Sequence, residues 1–236
     1  MSNGLSFCIV SAAVSVLACN MDTNLPEQSE ASTSEKRVVQ SATQALTVDS
    51  SCSPEMADKL RRMQTELTDM VWYAADNYEN DAWTQWGVYS FNQPNRGQYQ
   101  QVVDDLWTLT LTLDADRGLG GGIHYDCRPQ DSSDCGGTVM ARAVTGSDPW
   151  LVHICDNFNS LQDVGGAEHG YALQRSALLH EYFHFLGYVD YGYCNCAIDY
   201  VWADPSARSP DNYQLFITGV NGVPSACEVF QGGGSC

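Results

Sequence analysis

The stretch Tyr171 to Leu186, YALQRSALLHEYFHFL, constrains this chain more than any other. It contains no Pro or Gly, is strongly apolar, and is followed at once by Gly187. An unbroken run of that kind with a glycine just past its end predicts a helix with a glycine stop. Within it lie His180, Glu181 and His184. A spacing of four residues is a little more than one helical turn, so both imidazoles project from the same face. Two ring nitrogens so placed can reach one zinc ion, while Glu181, one residue on, can reach a water at the metal without binding the metal itself.

That arrangement predicts peptide-bond hydrolysis by one catalytic Zn2+. A carboxylate at position 181 takes the water's proton as a peptide carbonyl is attacked, then delivers it to the leaving amine. Zinc needs a third protein ligand, and the helix must end before the chain can turn back to supply it. Gly187 allows the turn and Asp190 follows, so HEYFHFLGYVD also reads as HExxHxxGxxD. Asp199 and Glu228 are later candidates for the same role. His124, His153 and His169 precede the motif and read as structural or surface groups.

The rest of the chain narrows the setting. Net charge is −18, with 11 Lys+Arg against 29 Asp+Glu. Nucleic acid requires a basic footprint, so it is excluded as a partner. Ten cysteines point away from a reducing cytosol. Leu5 to Ala18 is an apolar run too short for a membrane span, with no Lys or Arg before it, and it reads as a signal-peptide core. Val16-Leu17-Ala18-Cys19 matches a bacterial lipoprotein cleavage box with Cys19 acylated, the alternative being an ordinary signal peptide. The expected location is therefore secreted or lipid-anchored to the bacterial cell envelope. Without Cys8 and Cys19 an even set remains: Cys52, Cys127, Cys135, Cys155, Cys194, Cys196, Cys227 and Cys236, which suits four disulfides.

Residues 19–51 are rich in Ser, Thr, Gln, Glu and Asn and read as a linker or pro-segment; residues 52–236 form the catalytic domain. Ser53-Pro54-Glu55 looks like a helix start. Met56, Leu60, Met63, Leu67, Met70, Val71 and Ala74 then recur at helical spacing as a core-facing stripe. A turn is expected at Asn92 to Gly97, further helix within 98–115, and short strands at 123–127, 138–144 and 150–155. The glycine-rich stretch 118–122 lacks the Lys-Ser/Thr of a phosphate loop.

From Cys52 onward the sequence resembles the aspzincins, the deuterolysin and peptidyl-Lys metalloendopeptidase family. The resemblance rests on Cys52-Ser53, Trp86-Gly87-Val88-Tyr89, Asp126-Cys127, Asp131-Ser132-Ser133, LVHICDNF at 151–158, the HExxH-Phe of 180–185, Gly187-Tyr188-Val189-Asp190-Tyr191-Gly192-Tyr193, and Asp211-Asn212-Tyr213. It implies an α+β zincin-like metallopeptidase fold, mostly helical with a small sheet and stapled by disulfides. It implies Asp190 as third zinc ligand and Tyr193 as a donor to the developing oxyanion. It further implies that Asp211 binds a substrate lysine, although Gln214 stands where the Lys-specific members have a second acidic residue. The pairings Cys52–Cys127 and Cys135–Cys155 follow from the same resemblance, with the last four cysteines tying the segment after Asp190 to the C-terminus. The family usually has Gly-Thr where Gly187-Tyr188 stand, and Asp199-Tyr200-Val201-Trp202 is a second Asp-x-x-aromatic. Two rival readings remain. One is a metzincin-like peptidase lacking a Met-turn, since all six methionines fall at or before Met140. The other is a non-catalytic secreted zinc-binding protein. The expected partners are protein or peptide substrates, and the expected state is a monomer.

Overall fold

The computed structural model describes residues 46–77, 81–92, 100–114, 122–163, 165–191, 194–204, 206–225 and 227. The chain divides into units over 1–40 and 41–236, and all described residues belong to the second. The expected signal peptide, the acylated Cys19 and most of the expected linker lie outside the described residues. No helix among the described residues is long and apolar enough to cross a membrane.

Helix α1 (Pro54–Asp76) begins where the sequence places it. The Ser53 hydroxyl accepts the Met56 N–H at 3.2 Å, and Pro54 opens the first turn. All seven residues of the expected stripe are buried, joined by Gln64 and Ala75. Helix α2 (Asp81–Phe91) carries Trp86 and ends at Asn92, whose φ of 49° places it in the left-handed region that asparagine tolerates. Helix α3 (Gln100–Leu113) follows, burying Val102, Leu106 and Leu109.

A four-stranded sheet comes next, ordered β1-β2-β4-β3. Strands β2 (Ile123–Arg128), β3 (Ala141–Val144) and β4 (Trp150–Cys155) match the expected positions to within three residues. Strand β1 (Thr47–Val48) pairs in parallel with β2, Thr47 beside His124. Two of the last residues of the expected linker thus pair with the sheet. Strand β2 is parallel to β4, whereas β3 runs antiparallel to β4 and forms the far edge. One sheet face sends Ile123, Tyr125, Val152 and Ile154 into the core; alternation sets His124, Asp126 and His153 on the other.

After the short helix α4 (Asp156–Ser160) and a 3₁₀ turn (Leu161–Asp163) comes α5 (Ala167–Phe185), a largely buried helix of the second unit. Its buried residues cover most of its circumference, as expected of a helix packed on several sides. Gly170 makes that packing feasible, because a Cβ there would lie 2.4 Å from the Leu161 carbonyl oxygen. Helices α6 (Asn195–Ala203) and α7 (Pro210–Val220) complete the fold. The architecture is α+β, mostly helical with one small sheet. Disulfides join Cys52 to Cys127, Cys135 to Cys155 and Cys194 to Cys227, and Cys196 is disulfide-bonded as well.

Candidate metal centre

The last turns of α5 carry His180, Glu181 and His184, with Leu179, Tyr182 and Phe183 buried on either side to hold the helix in register. At its end Gly187 takes a φ of 89°, a left-handed conformation suited to glycine, and the chain doubles back. The return brings the Tyr188 carbonyl oxygen within 2.8 Å of His184 Nδ1. That carbonyl accepts the Nδ1 proton, which leaves the Nε2 lone pair of His184 free to bind a metal.

Two residues further, Asp190 reaches the same point. His180 Nε2 and His184 Nε2 are 3.2 Å apart, and Asp190 Oδ1 is 3.3 Å from the first and 3.7 Å from the second. The circle through these three atoms has a radius of about 2.0 Å, so a single point can lie at zinc–nitrogen and zinc–oxygen bonding distance, about 2.0–2.1 Å, from all of them. Two imidazole nitrogens and one carboxylate oxygen are also the donor set of a catalytic rather than a structural zinc site. His180 is buried, His184 half-buried, and the Asp190 side chain is 30% exposed, so the triangle opens to solvent at its carboxylate.

Neighbouring carboxylates and burial set the electrostatics of these side chains. Burial disfavours a charged His180, but hydrogen bonding to Asp190 and Asp211 and the charges of Asp211 and Glu181 outweigh it. In the metal-free protein the imidazole is pushed up to about 10. Glu181 Oε2 accepts the backbone N–H of Ala143 at 2.7 Å, which fixes the carboxylate against edge strand β3. Loss of solvent raises the Glu181 carboxyl above its ordinary value, against the opposing pull of His180, His184 and the Ala143 N–H.

The loop carrying Asp190 is anchored from two helices. The Tyr188 hydroxyl donates to the Asp105 carboxylate of α3, and so does that of Tyr213 in α7. The Tyr213 and Tyr188 hydroxyl oxygens lie 2.7 Å apart. Burial, followed by the bond to Asp105, pushes the Tyr188 phenol up to about 12. Tyr213 stacks on Phe183 of α5 with ring centroids 4.2 Å apart. Asn212 donates to the carbonyls of Ser90 and Ala197 at 2.9 and 3.2 Å, fixing the start of α7 against α2 and α6. The Asp211-Asn212-Tyr213 motif is therefore an anchoring device in two of its three residues.

The expected site residues divide as follows. His180, His184 and Asp190 converge, and Glu181 stands beside them. Asp199 lies on α6 and belongs to no candidate metal group among the described residues. Tyr193 and Glu228 lie outside the described residues. Asp211 is 3% exposed, and its Oδ1 lies 3.6 Å from His180 Nδ1, behind the imidazole. Gln214 is also buried, donating to the Ser225 hydroxyl at 3.2 Å. Both residues at which the resemblance places contact with a substrate lysine, Asp211 and the position of Gln214, are thus enclosed in the metal-free structure. His153 is paired with Asp126 at 2.5 Å on the sheet, a structural role as read from the sequence. A second cluster, Cys194, Asp211 and Cys227, has metal-like spacing, but its two sulfurs are joined in a disulfide and offer no thiolate.

Sequence reasoning missed the Ala143 N–H, the Tyr188 carbonyl and the Asp105 anchor. Backbone groups leave no residue-type signal, although the turn at Gly187 foretells that the following backbone returns toward His184. A scan against protein-family models matches no family, and a search of curated proteins finds no match.

Proposed function

We propose that this chain is an extracytoplasmic zinc metalloendopeptidase of the zincin-like type, similar to the aspzincins in its ligand set. The observation that carries the reading is the triangle of His180 Nε2, His184 Nε2 and Asp190 Oδ1, sized for one ion and flanked by a desolvated carboxylate.

Zinc bound there would polarise a substrate carbonyl and make water nucleophilic near neutral pH. Glu181 acts as general base and then general acid. Its raised proton affinity suits both roles, since a base far weaker than its surroundings would neither take nor keep the proton in transit. The Ala143 N–H holds one carboxylate oxygen still, so the other is the one presented for proton transfer. The Tyr188 carbonyl holds the His184 ring by its far nitrogen. Tyr193 is proposed, on the resemblance alone, to donate to the developing oxyanion. The disulfides support an oxidising compartment, in keeping with a cleaved or lipid-anchored N-terminus. Lysine selection is not part of the proposal, because Asp211 and Gln214 are both enclosed.

The test is incubation of the full chain with a denatured, unstructured protein, with and without a chelator, followed by zinc re-addition and mass-spectrometric reading of the cuts. Internal cuts that vanish with the chelator and return with zinc are expected. A zinc-loaded, folded protein that leaves the substrate intact would sink the reading.

A further inference from the structure

Asp211 is left without an ordinary role once it is seen to be buried. A carboxylate removed from water requires partners, and leaving its oxygens unsatisfied costs more than a neutral group would. Oδ2 is enclosed and has no hydrogen-bond partner among the described residues. Among the described residues, Oδ1 meets Cys227 Sγ and His180 Nδ1, each at 3.6 Å. The sulfur is in a disulfide with Cys194 and carries no hydrogen to donate. Among the described residues, the proton donor that faces this carboxylate is therefore the His180 ring, through the nitrogen opposite the triangle.

The placement is enforced from outside the site. Asp211 stands in the first turn of α7, next to Pro210, where the helix N-terminus favours a negative charge. Asn212 fixes that turn to α2 and α6, and its side-chain oxygen accepts the Ser209 N–H at 2.8 Å. Both ring nitrogens facing away from the triangle thus meet an oxygen: a backbone carbonyl for His184 at hydrogen-bond distance, and a carboxylate for His180 slightly beyond it.

We propose that Asp211 is a positioning residue for the metal centre. Its carboxylate accepts a hydrogen bond from the Nδ1–H of His180 as the metal site forms, fixes the ring and its tautomer, and so presents Nε2 with raised basicity to the ion. This rests on the zinc-centre reading given above and reassigns Asp211 from substrate binding to metal binding. A carboxylate behind a ligating histidine strengthens metal affinity by about 10- to 100-fold in general.

The experiment measures zinc affinity of the full chain by competition with a chromophoric chelator, for wild type, Asp211→Asn and Asp211→Ala. Affinity is expected to fall in that order, with the alanine variant weaker by about 10- to 100-fold. The asparagine variant keeps the shape and one acceptor, and it decides the matter if the alanine variant fails to fold. The imidazole 15N shifts of the zinc-loaded protein supply a second readout. They should show His180 protonated at Nδ1 in wild type and a weaker Nδ1 hydrogen bond in Asp211→Asn, a change that looser packing alone would not produce. A wild type that binds zinc tightly, with variants of equal affinity and unaltered His180 shifts, would overturn the inference. Altered cut-site preference at unchanged affinity would return Asp211 to the substrate. A wild type that binds no zinc would instead overturn the reading of the centre, and the inference with it.

Discussion

Replacing Glu181 by glutamine removes a proton acceptor while leaving its surroundings nearly as they are. The glutamine amide oxygen can still accept the Ala143 N–H that now reaches Oε2 at 2.7 Å. His180 and His184 keep their places on α5, so one zinc should still bind per chain. What is lost is basicity at the side chain proposed to take a proton beside the triangle. General acid–base catalysis contributes about 10²- to 10⁴-fold, which at about 1.36 kcal/mol per tenfold is a barrier increase of about 2.7–5.4 kcal/mol. The effect should fall on kcat with KM little altered, because the missing interaction is made only as the proton moves. The assay is hydrolysis of an internally quenched peptide, with zinc content measured on the same samples. A glutamine variant that carries full zinc and cleaves at the wild-type rate would refute the role given to Glu181.

Four further outcomes follow from the structure. In the metal-free protein the His180 imidazole is pushed up to about 10 from an ordinary 6.5, so zinc must displace a proton below that pH. Apparent zinc affinity should therefore weaken about tenfold per pH unit from this group as pH falls below 10. A raised pKa also stabilises the metal-free fold fully below pH 6.5 and loses that contribution as pH rises towards 10. Thermal melts with chelator should show that loss, and melts of the zinc-loaded protein should not. Gly170→Ala should lower stability by about 1–3 kcal/mol in denaturant titrations, because its Cβ would meet the backbone oxygens of Leu161 and Gln162 at 2.4 and 2.5 Å. Removing the Cys52–Cys127 disulfide, which spans 75 residues, should cost about 4.5 kcal/mol by loop-closure entropy, read from the same titrations.

Local chemistry made some of this structure legible in advance. The start of α1 is written in Ser53 and Pro54, whose capping and φ preferences act within one turn. Its buried face is written in a stripe from Met56 to Ala74, since helical period alone decides which residues share a side. The end of α5 is written in Gly187, where the backbone must turn left-handed. The convergence of His180, His184 and Asp190 was legible for the same reason, since the two histidines are set by one helical turn and Asp190 by a short return. Long-range placement was not legible. Strand β1 is two residues in a polar stretch, and only its pairing with His124 and Tyr125 makes it a strand. The sheet order β1-β2-β4-β3 depends on which edges meet after the helices have packed. Asp211 shows the limit most clearly. Its sequence context resembles a substrate-binding motif, but Asn212 and Tyr213 draw the start of α7 inward and set the carboxylate behind His180.

The account stands on one ion bound at the end of α5, and anomalous diffraction at the zinc edge from crystals of the zinc-loaded chain tests it most directly. The predicted result is a single strong peak about 2.0–2.1 Å from His180 Nε2, His184 Nε2 and an Asp190 oxygen. A peak held by other residues, or no peak from protein that cleaves peptides, would contradict it.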